Sequence, residues 1–66
     1  MNLEKLNDRI KQTGITKTAI AKQMDIPYIT LNRRLRGEGE FTVSQAVNLS
    51  KILHLTAAEK NDIFFA

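Results

Sequence analysis

The stretch of residues 16–37 constrains the fold of this chain more than any other part of the sequence. Apolar residues recur at helical intervals on both sides of a short break at residues 25–27. Ala21 provides a small side chain where two helices must approach each other closely, and Leu31 and Leu35 lie four residues apart. The pattern predicts two short helices joined by a tight turn.

Helix-start and helix-stop residues set the limits of the first three predicted helices. Gly14 ends the first helix, and Thr16 is placed to cap a second helix over residues 17–24. Pro27 begins the third helix, where its missing N–H is harmless, and Gly37 ends that helix. The apolar residues predicted to face inward are Leu3, Leu6, Ile10, Ile20, Met24, Ile26, Leu31 and Leu35.

Two further helices are predicted in the last third of the chain. Thr42 and Thr56 each stand three residues before a Gln or Glu, which is the spacing of a capping box. The inward-facing residues predicted for the fourth helix are Val43, Ala46, Val47, Leu49 and Leu53. Alternating β-branched runs are few, so we expect an all-α fold, a compact five-helix domain over residues 1–66.

The length of the chain limits what such a domain can do. A chain of 66 residues buries only about 60% of its unfolded surface, which leaves little material for a catalytic cleft. It contains no cysteine, so neither disulfide bonds nor a Cys-based zinc site can add stability. The fold must therefore depend on its apolar core.

Positive charge is concentrated on the same stretch that the helix pattern singles out. The whole chain carries a formal charge of +3. Residues 16–36 contribute +4, with five cations against Asp25 alone, whereas residues 1–15 contribute +1 and residues 37–66 contribute −2. This distribution is expected of a surface that displaces counterions from phosphates.

Together these features resemble the helix-turn-helix family of lambda-type phage repressors and Cro proteins. The matching residues are Ile15, Thr16, Ile20, Ala21, Ile26, Leu31 and Gly37. The resemblance covers nearly the whole chain and implies that the second and third helices form the helix-turn-helix. It also implies that the third helix, about residues 28–36, enters the major groove of double-stranded DNA.

The sequence departs from the family pattern at two places. Asp25 stands where the turn usually has glycine, and we expect it to adopt the left-handed conformation, which Asp visits more readily than most residues. Arg34 stands where many relatives carry the inner apolar side chain of the third helix, so Leu35 is predicted to take that inner position.

Most of the candidate DNA-binding residues belong to the third helix. The full set of candidates, including Lys17 of the second helix, is Lys17, Pro27, Tyr28, Ile29, Thr30, Asn32, Arg33 and Arg36. Thr30 and Arg33 are predicted to lie one turn apart on the outer face, in the part of the helix that reaches base edges in relatives. The match of Lys17 to its family position implies a phosphate contact.

Each of these assignments has an alternative. Arg33, Arg34 and Arg36 also suit a solvated helix end, where cations complement the helix dipole. Ile29 suits either contact with a thymine methyl group or partial burial in the core. Lys17 is otherwise an ordinary surface lysine.

The function expected from the resemblance is sequence-specific regulation of transcription, by a repressor or Cro-like protein. We expect a homodimer, at least on DNA, that binds a palindromic operator. The alternative is a protein-binding module on the same scaffold, such as an antirepressor or antitoxin-like modulator. Phe64 and Phe65 cannot both be buried in so small a core, so one of them is a candidate dimer or partner contact.

The sequence points away from catalysis, metal binding and membranes. His54 is the only histidine and no second His or Cys completes a metal site, so we expect a solvated helix cap, no metal and no cofactor. No catalytic triad or phosphate-binding loop is recognisable, and we expect no enzyme activity. The N-terminal residues lack a basic start followed by an apolar run, so we expect a cytoplasmic location.

Overall fold

Five helices form the fold in the computed structural model, which describes residues 1–65. They are α1 (Leu3–Thr13), α2 (Lys17–Met24), α3 (Tyr28–Leu35), α4 (Val43–Ile52) and α5 (Ala57–Phe64). The described residues contain no strand, so the predicted all-α class is confirmed. Over the same residues, no helix is both long enough and apolar enough to cross a bilayer.

Side-chain caps begin four of the five helices. The side chains of Asn2, Thr16, Thr42 and Thr56 each accept a hydrogen bond from the backbone N–H three residues later, at 3.1 Å. Both predicted capping boxes are present. Each such cap contributes on the order of 1 kcal/mol, because the first N–H groups of a helix otherwise lack an acceptor.

The core is one cluster to which every helix contributes. Its fully buried members are Leu6, Ile20, Leu31, Leu49 and Leu53. Burying an aliphatic side chain of this size contributes about 1.5–3 kcal/mol, so these few residues supply much of the stabilisation available to so short a chain. Around this core α2 packs against α3 and α4, while α1 packs against α3 and α5.

Two ion pairs and one backbone hydrogen bond join α5 to the start of the chain. Lys5 Nζ lies 2.8 Å from Asp62 Oδ2, Arg9 Nη1 lies 3.2 Å from Glu59 Oε2, and the N–H of Asn2 donates to the carbonyl of Ile63. A hydrogen bond from the Thr56 N–H, helped by Arg9, holds the pKa of Glu59 below its usual range. Partly exposed ion pairs contribute about 0–1 kcal/mol each, so burial of apolar side chains is the main attachment of α5.

The prediction for the inner face of α4 is wrong at two residues. Val43 is 83% exposed and Val47 is 47% exposed. Leu49 is buried as predicted, and the second buried residue of α4 is Ser50. Ser50 tolerates burial because its hydroxyl donates to the Ala46 carbonyl at 2.8 Å, so no polar group is left unpaired. The inner stripe is therefore rotated away from both valines.

The two C-terminal aromatics have opposite environments, as their adjacency predicted. Phe64 is buried and Phe65 is 75% exposed. Replacing Phe64 by Ala should lower the free energy of unfolding by about 3–5 kcal/mol, whereas Phe65→Ala should leave the thermal midpoint nearly unchanged. Urea and thermal unfolding measure both. Equal destabilisation by the two variants would contradict this arrangement.

Candidate nucleic-acid interface

A three-residue turn joins α2 to α3. Asp25 occupies the left-handed region, with φ 57° and ψ 44°, as the sequence predicts for this position. Its N–H donates to the Lys22 carbonyl at 3.2 Å, and the N–H of Ile26 donates to the Ala21 carbonyl at 3.1 Å. These bonds satisfy the last carbonyls of α2 and reverse the chain within one helical turn.

The start of α3 differs from the other helix starts because Pro27 is its N-cap. Pro27 provides no side-chain acceptor, but its carbonyl accepts hydrogen bonds from the N–H groups of Thr30 and Leu31 at 3.0 and 3.1 Å. The fixed φ of proline, here −60°, sets the direction in which α3 leaves the turn. Tyr28 and Ile29 therefore open the helix at its exposed end.

The rotation of α3 about its axis is fixed from inside the protein. Leu31 is fully buried and Leu35 is 3% exposed, so Leu35 takes the inner position that the sequence assigned to it. The Asn7 side-chain amide donates to the carbonyls of Leu3 and Leu35 at 2.8 and 3.1 Å. The bond to Leu35 ties the end of α3 to α1. With Leu31 and Leu35 buried, one stripe of α3 faces solvent.

That outer stripe, hereafter the α3 stripe, consists of Ile29, Arg33 and Arg36, which recur at intervals of four and three residues. All three are exposed, and Ile29 is 58% exposed. Partial burial of Ile29 in the core, one of the two alternatives, is therefore wrong. This exposure leaves contact with a thymine methyl group as the alternative that is still open for Ile29.

The neighbours of the α3 stripe are less exposed than the sequence suggested. Tyr28 is 48% exposed. Thr30 and Asn32 lie at the two edges of the stripe and are half-buried. Thr30 was predicted to lie on the outer face beside Arg33. Its position beside buried Leu31 places it at the border of the core instead.

The three arginines have three different environments. Arg33 is exposed and forms no ion pair within residues 1–65. Arg36 pairs with Glu38 at 2.9 Å, with both side chains more than half exposed. Arg34 turns toward the loop before α4, and a Cβ at Gly39 would lie 2.6 Å from its Nη1. Arg33 is therefore the cation of α3 that needs no rearrangement to meet an anion.

Lys17 is the first residue of α2, immediately after the Thr16 cap. It is half-buried, and no carboxylate of the described residues pairs with it. Because α2 packs against α3, the cations of residues 16–36 belong to one packed helix pair. Asp25, the only carboxylate of those residues, lies in the turn.

A second surface was foreseen from the sequence only at Phe65. It consists of exposed Met1, Val43, Val47 and Phe65 together with half-buried Phe41, and is called the apolar patch below. These residues border one open cavity of about 340 Å³ between α4 and the end of α5. The valines were missed because buried Ser50 reads as a surface residue in a hydropathy pattern.

Within residues 1–65, no three His, Cys, Asp or Glu side chains lie close enough together to hold a metal ion. His54 follows the end of α4, with φ 54° and an exposed side chain, in the position expected of a solvated helix cap. No match to the chain was found among protein-family models, curated proteins or solved structures.

The left-handed turn residue offers a test of the helix-turn-helix geometry. Asp25→Ala should lower the free energy of unfolding by about 1 kcal/mol because Ala adopts positive φ less readily, while Asp25→Gly should equal or exceed the parent. Urea titration measures the free energy of unfolding of the three proteins. His54 is another non-glycine residue with positive φ, so His54→Ala should lower the free energy of unfolding for the same reason. A turn that tolerates Ala without loss would not be left-handed.

Proposed function

We propose that this protein is a sequence-specific regulator that binds double-stranded DNA through α2 and α3. The single observation that carries the proposal is the α3 stripe. A buried face fixes its rotation, and an exposed isoleucine and two exposed arginines project from it within the segment of net charge +4. A rigid helix with this outer face has the dimensions and chemistry that the major groove accepts.

Direct base reading would fall to the exposed residues of α3, from Ile29 in its first turn to Arg33 in its last turn. Arg33 is exposed and can donate two guanidinium N–H groups to the O6 and N7 atoms of a guanine, which is the commonest specific contact in this groove. Ile29, one turn earlier, is suited to a thymine methyl group. The α3 stripe is flanked by Tyr28, Thr30 and Asn32. From these flanking positions, each side chain would make at most a single contact with the DNA.

Phosphate contacts would fix the register of the helix. Lys17 at the start of α2 and Arg36 at the end of α3 are the candidates for these contacts. Pro27, the N-cap of α3, would place the first turn of α3 close to the sugar-phosphate backbone of the DNA. Arg36 must exchange its Glu38 partner for a phosphate, so its net contribution should be the smaller one.

Regulation would then be steric. Two copies on the half-sites of a palindromic operator, about one helical turn apart, occupy DNA that polymerase or a competing regulator needs. The exposed Phe65 favours a second candidate, a module that grips another protein through the apolar patch. A variant that has lost DNA binding but still binds the other protein would distinguish this second function from DNA-binding regulation.

The electrostatic part of the proposal predicts a change in salt dependence. Lys17→Ala should weaken binding to all DNA sequences alike and reduce the slope of log affinity against log salt by about one phosphate equivalent. Arg36→Ala should act in the same direction but less, because Glu38 already offsets its charge.

Fluorescence anisotropy on specific and random duplexes between low and physiological salt measures these slopes. Lys11→Ala is the matched control, since Lys11 is an exposed lysine outside the segment. A slope unchanged in Lys17→Ala and Arg36→Ala alike would remove both residues from the interface.

The base-reading part predicts a loss of specificity. Arg33→Ala should cost about 1–3 kcal/mol on the preferred site and relax preference at one base pair. Arg33→Lys keeps the charge but not the planar fork, so it should keep binding to random DNA and still lose that preference. Selection from a randomised duplex pool identifies the site. Equal losses on specific and random DNA would assign Arg33 to the phosphate backbone.

A further inference from the structure

The apolar patch leaves large side chains in water without a local partner. Val43 is 83% exposed, Phe65 is 75% exposed, and Val47 and Met1 are each 47% exposed. All lie at the edge of the same cavity between α4 and α5. None of them belongs to the α3 stripe, so an occupant of this patch would leave that stripe free.

The amount of apolar surface matches one half of a small stable interface. The four side chains present roughly 400 Å² of apolar area, given that a whole aromatic ring accounts for roughly 150–250 Å². A standard interface buries roughly 800 Å² per partner, of which about 60% is apolar. The apolar patch therefore supplies most of the apolar area that each copy of a dimer requires.

The surface of α4 is arranged so that a reversed copy of itself complements it. Val43, Val47 and Lys51 recur every four residues and form one stripe beside the buried one. If a second α4 packs antiparallel with its Val47 opposite Val47, each Val43 faces the aliphatic stem of the other copy's Lys51.

Charge complements the same pairing. Glu40 precedes α4 at one end of the patch and Lys51 lies in the last turn of α4 at the other end. Within residues 1–65 neither side chain forms an ion pair, and nor does Lys60 on the same cavity wall. Reversal of one copy brings Glu40 toward the lysines of the other, twice in a two-fold dimer.

We propose that the apolar patch is the contact surface of a two-fold homodimer, with α4 of each copy packed antiparallel across an axis at Val47. The inference deepens the proposed function by naming the surface that would pair two DNA-binding copies. It concerns the free protein, so its test uses no DNA and can fail or succeed independently of DNA binding.

The decisive variants place a charge on the two-fold axis. Val47→Asp and Val47→Lys each bring like charges face to face in a homodimer, so each should raise the dimer dissociation constant at least about tenfold. Mixing the two variants should restore association as a heterodimer. Sedimentation equilibrium at matched concentrations measures all three samples, and circular dichroism shows whether the helices are kept.

Two controls separate this register from a general effect of charge. Ile29→Asp introduces the same charge at an exposed apolar residue outside the patch and should leave the dimer intact. Val43→Asp faces Lys51 of the other copy in this register and begins α4, where an acid is favourable, so it should also preserve association.

Several results would overturn the proposal. One is a parent protein that stays monomeric up to about 1 mM, a range in which even weak dimers form. Another is a dimer unaffected by both Val47 variants. Opposite effects of Asp and Lys at Val47 would indicate a charged partner of another kind. Failure of the mixture to associate would exclude the two-fold axis at this residue.

Discussion

The packing of the helices in this domain depends on the burial of five aliphatic side chains, Leu6, Ile20, Leu31, Leu49 and Leu53. They come from α1, α2, α3 and the α4 segment, so the same contacts that stabilise the fold also fix how the helices lie. No cysteine is present to hold the chain by a disulfide bond. In a chain of 66 residues the loss of one such side chain, about 2–5 kcal/mol, is a large part of the total stability.

The candidate DNA-binding surface is a consequence of this core. Leu31 and Leu35 bury one side of α3, and the amide of Asn7 holds the last turn through the Leu35 carbonyl. A helix held along its inner face has no freedom to rotate, so its outer residues keep fixed directions. Arg33 and Ile29 are presented by a rigid support, which would lower the entropy cost of the proposed binding to DNA.

Two exposed surfaces on different helices suit two different kinds of contact. The α3 stripe combines arginines with one aliphatic residue in the basic segment, whereas the apolar patch on α4 and α5 is flanked by charges of both signs. A domain this small cannot bury all its apolar side chains, and those left outside are grouped rather than scattered. Grouping makes a contact surface, because single exposed apolar residues contribute little to association.

The sequence by itself determined the helix limits and the turn, because caps and breakers act within a few residues. Thr16, Thr42 and Thr56 cap as predicted, and Asp25 adopts the left-handed turn. Only the tertiary structure decided which side of α4 is buried and what surrounds each arginine of the third helix. Ser50 is buried with its hydroxyl bonded to the Ala46 carbonyl, while Val43 and Val47 are exposed. Arg34 lies close to Gly39, whereas Arg33 is exposed. The buried side of a helix depends on packing against residues distant in sequence, and a hydropathy pattern does not show whether a polar side chain such as Ser50 finds a hydrogen-bond partner.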